Sequence, residues 1–93
     1  MNQREIQRMI RKAFGNPNMM TPEVVRYGHR GDRIWEVSKG ESILDRDIPI
    51  IGISVVGTDG KYRSDESKLF HDDWEGAREF EARIGTPRRE IST

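Results

Sequence analysis

After Met1, hydrophobic residues in the first fourteen positions fall at Ile6, Met9, Ile10, Ala13 and Phe14. The steps i, i+3, i+4, i+7 and i+8 predict a helix with one apolar face. Asn2 and Glu5 form a capping-box pair ahead of it, and Gly15 and Pro17 end it. From Val24 to Ser38 the period shortens to two, which predicts a β-hairpin with its tip at Arg30-Gly31-Asp32. A two-residue loop at Gly31-Asp32 would set Trp35 against Gly28 and Val37 against Arg26. A three-residue loop sets Tyr27 against Trp35 and Val25 against Val37, which gathers one apolar face, and this register is the one expected. Ile50 to Gly57, rich in β-branched residues, reads as the central strand with Ile51, Ile53 and Val55 on the core side. Thr58-Asp59-Gly60-Lys61 predicts a two-residue type I′ hairpin. It leads into a fourth strand from Lys61 to about Ser64, with an extension toward Leu69 as the alternative.

The last periodic segment is Trp74, Ala77, Phe80 and Ile84, again one helical stripe. Asp72 and Glu75 are the expected capping box, Gly85 the left-handed stop, and Pro87 bars continuation. Glu79 and Arg83 stand in the favourable i, i+4 order. The expectation is therefore a single α+β domain of order α-β-β-β-β-α. Residues 1–15 form a helix, 23–70 the sheet, 72–85 a second helix and 86–93 a tail. The sheet is antiparallel, with both helices packed on one face. The expected core is Ile6, Ile10, Phe14, Val25, Tyr27, Trp35, Val37, Ile51, Ile53, Val55, Phe80 and Ile84. Met19 and Met20 would fill a gap over it, and Ile43 and Leu44 would tuck down the connection between strands.

Composition narrows the function classes. Apolar residues are 33% and charged residues 34% of 93, so the core is lean, and a homodimer is one way to bury more surface. Cysteine is absent, which removes disulfides and thiolate metal sites. No apolar run approaches a membrane span, and a cytoplasmic protein without membrane partners is expected. The formal net charge is zero but unevenly spread. Residues 1–15 carry Arg4, Arg8, Arg11 and Lys12 against Glu5. Residues 65–81 carry Asp65, Glu66, Asp72, Asp73, Glu75, Glu79 and Glu81 against Lys68 and Arg78.

Two surfaces become candidates. The first is the acidic helix, with Asp72, Asp73, Glu75 and Glu79, suited to a basic protein partner. The second is the sheet face away from the helices, where Arg26, Arg30, Lys61 and Arg63 surround Gly52 and Ser54 and could meet nucleic acid. His71 beside Asp72 and Asp73 has no second histidine near in sequence and reads as helix-entry chemistry, and His29 at a hairpin tip reads as a surface residue. No serine or threonine sits on a glycine elbow, and no phosphate-cradling glycine loop is present. No catalytic residue, metal site or cofactor is expected.

Three resemblances bear on this. The succession helix, strands, helix resembles a double-stranded-RNA-binding domain. That family has a lysine cluster at the start of its last helix, where this chain has Asp72-Asp73-Trp74-Glu75, so only the order of elements carries over. Ser67-Lys68-Leu69-Phe70 followed by Glu75-Gly76-Ala77 is similar to the strand-to-helix passage of the three-strand DNA-binding domains of plant Apetala-type factors and phage integrase arms. Over residues 33–84 that resemblance implies Trp35, Arg30, Arg33 and Arg63 as sheet residues facing DNA. Small size, absence of cysteine and segregated charge resemble the accessory proteins of phages and mobile elements, many of which block a host protein stoichiometrically. The leading expectation is a protein-binding regulator or inhibitor of that kind, with nucleic-acid binding second.

Overall fold

A computed structural model describes residues 2–14, 20–42 and 47–85, without the side chains of Phe14, Met20, Thr21 and Pro22. Helix α1 spans Gln3–Phe14, strand β1 Met20–Arg30, β2 Arg33–Glu41, β3 Pro49–Gly57 and β4 Lys68–His71, and helix α2 Trp74–Arg83. The strands form one antiparallel sheet in the order β1-β2-β3-β4. The α+β class and the order α-β-β-β-β-α are as the periodicity predicts.

Placement of the helices differs from expectation: they cover opposite faces. Adjacent residues of a strand point to opposite sides, and here each such pair is divided between two cores. Trp35, Val37, Ile51, Ile53, Val55 and Phe70 meet Ala77 and Ile84 of α2, with Trp74 and Phe80 packed at the edge. Ile34 and Val56 meet Ile6 and Ile10 of α1, with Met9, Ala13 and Tyr27 beside them. β3 is consequently buried at every position from Ile50 to Gly57, as a strand covered on both faces must be.

The hairpin explains how the second core arises. Arg30 pairs with Arg33, so the loop is the two-residue Gly31-Asp32 and not the three-residue one. Trp35 then lies opposite Gly28, Val37 opposite Arg26 and Tyr27 opposite Glu36. This register works because Gly28 leaves the space that the indole fills; a Cβ there would overlap the Trp35 ring. Tyr27 therefore belongs to the α1 side. A register shift between Val24 and Arg26 leaves Val25 39% exposed instead of in the core.

Three local expectations also shift. Only Gly60, not Asp59, has positive φ (86°), and Gly57 N–H donates to the Lys61 carbonyl at 2.9 Å. The loop thus spans residues 58–60, a three-residue form with glycine in the left-handed position, and Tyr62 bridges Val56. The fourth strand is not Lys61–Ser64. A 3₁₀ turn at Ser64–Glu66 intervenes, and Lys68–His71 pairs with Ile50–Ile53. The α2 cap is Asp73, one residue later than expected, with its carboxylate accepting from Gly76 N–H at 2.9 Å. Asp72 instead takes a positive φ of 52° at the strand-to-helix bend. At α1, Asn2 caps as predicted, accepting from Glu5 N–H at 2.9 Å. Expectations for Gly15, Pro17, Met19, Ile43, Leu44 and the tail, and for the side chains of Phe14 and Met20, lie outside the described residues.

Candidate functional site

The basic sheet surface expected from the sequence is not assembled, because the reverse face carries α1 and two of its four cations serve α2. Arg26 forms a two-pronged ion pair with Glu81, through Nε at 3.0 Å to both carboxylate oxygens and through a terminal nitrogen. Trp35 Nε1 donates to the same carboxylate at 2.7 Å. The bonds from Arg26 hold the Glu81 carboxyl below its ordinary value, against the opposing effect of partial burial, and the Trp35 bond adds to them. The Arg26 guanidinium is shifted upward in turn, chiefly by its bonds to Glu81. Arg30 donates to the carbonyls of Ala82 and Ile84, at 2.7 and 3.0 Å, and its guanidinium lies 5.9 Å from the Trp35 ring centroid. A cation there satisfies carbonyls that the helix end leaves open and complements the helix dipole. Arg63 pairs with Asp59 at 3.5 Å, and Lys61 is exposed. Arg33, which the DNA-binding resemblance would turn outward, is tied to Glu66 at 2.8 Å and Asp32 at 2.7 Å. Trp35 is 5% exposed and belongs to the core.

The acidic surface fares differently. Asp72, Asp73, Glu75 and Glu79 are all exposed, along α2 and its lead-in. Asp73 is engaged as the cap, but Asp72, Glu75 and Glu79 form no ion pair within the described chain. The expected Glu79–Arg83 pair is absent there too. Acids nearer the sheet are matched instead: Glu81 with Arg26, Glu66 with Arg33, Asp59 with Arg63 and Glu23 with Lys39. The half-buried ring of Trp74 stands at the start of the same helix.

A third feature escaped the sequence pattern. Glu36 is only 7% exposed, on the α1 side of β2. Ser38 Oγ donates to its Oε1 at 2.6 Å, while Oε2 has no hydrogen-bond partner. Tyr27 pairs with Glu36 across β1 and Ser54 pairs with it across β3. Burial raises the Tyr27 hydroxyl pKa, the negative charge of Glu36 raises it further, and Arg11 opposes. A lone carboxylate among hydroxyls lacks the ligands to hold a metal. Among the described residues no three His, Asp or Glu side chains converge. His71 and His29 are both exposed, the latter with Nε2 3.0 Å from the Gly31 carbonyl. The only hint of Glu36 in the sequence was its even-numbered place beside Ile34, and that holds meaning only once that face is known to be covered.

The basic residues of α1 form the fourth feature. Arg4, Arg8, Arg11 and Lys12 are exposed, and none makes an ion pair within the described chain. No described helix is long and apolar enough to cross a membrane. Comparison with protein-family models, curated proteins and solved structures finds no match.

Proposed function

We propose that the protein is a non-enzymatic binding domain that docks the acidic side of α2 on a basic protein partner and so regulates or blocks it. The observation that supports this reading is the contrast among its acids. Glu81, Glu66, Asp59 and Glu23 are each matched by arginine or lysine, whereas among the described residues Asp72, Glu75 and Glu79 form no ion pair, beside the partly exposed Trp74. An excess of acid steers association and sets register, here with Arg78 and Arg83 also exposed on α2, and an aromatic ring supplies the desolvated centre such an interface needs.

The test is affinity capture from a host lysate with the wild-type chain and with Glu75→Lys/Glu79→Lys. The reading expects a captured protein that elutes with salt and is lost on charge reversal. Capture that is indifferent to the reversal, or no capture at low salt, refutes it. Both positions are exposed, so the variant should keep its circular dichroism spectrum.

A further inference from the structure

At 100° per residue, Arg4, Arg8 and Lys12 fall within an arc of about 80°, directly opposite the buried Ile6 and Ile10, and Arg11 stands at its edge, within hydrogen-bonding reach of the Tyr27 hydroxyl on the sheet. That arc contains no hydrophobic side chain. Glu5 lies at its margin, and Gln3 and Gln7 flank the other side. The sheet separates this ridge from the acids of α2, because the two helices occupy opposite faces. We infer that the outer face of α1 is a phosphate-binding ridge that lies along a nucleic-acid backbone.

Three observations carry this. First, the spacing matches: Arg4 to Lys12 is about 12 Å of helix at 1.5 Å per residue. One nucleic-acid strand presents a charge about every 3.4 Å, so roughly three or four phosphates lie within that reach. Second, the ridge is arginine-rich, and guanidinium groups bind phosphate through paired donors. Third, a protein interface would need an apolar centre, and this arc has none, whereas a backbone contact needs only charge. A second copy of the chain, offering its acidic α2, is the competing occupant. It would set a ridge without apolar side chains against carboxylates and bury no core.

The inference concerns α1 and does not depend on the partner of α2. Its test is fluorescence anisotropy of a labelled mixed-sequence duplex with the full chain, alongside sedimentation velocity of the protein alone. Three neutralised phosphates, or four where Arg11 turns from Tyr27, predict a log–log salt slope of about −2.7 to −3.6, roughly a forty- to hundredfold loss of affinity between roughly 50 and 200 mM salt. Arg4→Glu/Arg8→Glu should reduce the slope to about −1 to −2 and weaken binding at about 50 mM salt more than roughly tenfold. Arg8→Glu sets a carboxylate four residues before Lys12, an order that supports the helix, so folding is expected to survive. Glu75→Lys/Glu79→Lys should bind the duplex as tightly as wild type or more so. No binding at about 50 mM salt, a slope near zero, or an unaffected Arg4→Glu/Arg8→Glu variant overturns the inference. Salt-reversible self-association without duplex binding overturns it in favour of a second copy.

Discussion

Glu81 joins the edge strand, the central tryptophan and the second helix, and its removal should be felt in all three. Its carboxylate accepts from Arg26 and from Trp35 Nε1, with 15% of its side chain exposed. Glu81→Ala leaves the Trp35 N–H without an acceptor in a residue that is 5% exposed. An unsatisfied buried donor costs about 1–3 kcal/mol. The Arg26 ion pair adds less, since that guanidinium is 44% exposed and can return to water; a pair of this kind contributes about 0–1 kcal/mol. The expected loss is therefore about 1–4 kcal/mol, a large share of what a domain of this size has. Glu81→Gln keeps an acceptor for Trp35 and should lose only about 1 kcal/mol. Urea denaturation followed by tryptophan fluorescence measures both. The pH dependence supplies a second check. A carboxyl depressed in the folded state contributes fully above its unfolded value of about 4.3. That contribution falls as pH drops below this value and is gone once pH passes below the folded one. Wild-type stability should therefore decline below about pH 4.3 more steeply than that of Glu81→Gln. A Glu81→Ala loss under about 0.5 kcal/mol, or parallel acid limbs for wild type and Glu81→Gln, would refute the assignment of Glu81 as the link between β1, Trp35 and α2.

Other substitutions probe the points where register and capping are decided. Gly28→Val should destabilise by at least about 1–3 kcal/mol through overlap with the Trp35 ring, measured by chemical denaturation; a neutral result would contradict the two-residue hairpin. Asp73→Ala should cost about 0.5–2 kcal/mol as loss of an N-cap, while Asp72→Gly should be neutral or stabilising because Asp72 holds a positive φ. Thermal unfolding of both variants distinguishes these positions. Ile10→Ala removes a side chain that is 1% exposed under α1 and should cost about 2–5 kcal/mol. Hydrogen exchange should then rise in α1 and around Ile34 before it rises in α2.

Most of the element order was legible because it rests on short-range signals: two amphipathic stripes, a β-branched run and capping residues. The helix placement was not, and the hairpin register accounts for it. Sliding the β1–β2 register by one residue turns β1 over, carrying Tyr27 and Val25 to the face of Trp35 and making that face look like the whole core. The mixture of Gly28 and Arg26 with Trp35 and Val37 is what makes the true register look unfavourable. Both are compatible with the buried side for reasons that depend on distant partners: the indole needs Gly28, and Arg26 needs Glu81, 55 residues away. A cue to two covered faces was present in Ile34-Trp35, Ile50-Ile51 and Val55-Val56. A strand wet on one side has little use for adjacent apolar residues, whereas one covered on both sides requires them. For the candidate surfaces, exposure of the α2 acids followed from periodicity alone. The loss of the basic sheet face depended on the helix placement and could not be read without it.

Placing the helices on opposite sides also changes what a formal charge of zero means. Were both on one face, as the sequence pattern implies, the arginines of α1 and the carboxylates of α2 would lie within reach of each other and largely cancel. With a sheet between them, the outward charges are separated by two helix–sheet spacings of about 10 Å each and by the helices themselves. The screening length at physiological salt is about 8 Å, so neither set neutralises the other in solution. Each side presents its own field to whatever approaches it. The central strand makes this division possible: Ile51, Ile53 and Val55 hold α2 while Val56 and its neighbour Ile34 hold α1. The same alternation of side chains that builds two cores thus keeps a cationic ridge and an anionic helix on one chain of zero net charge without bringing them together.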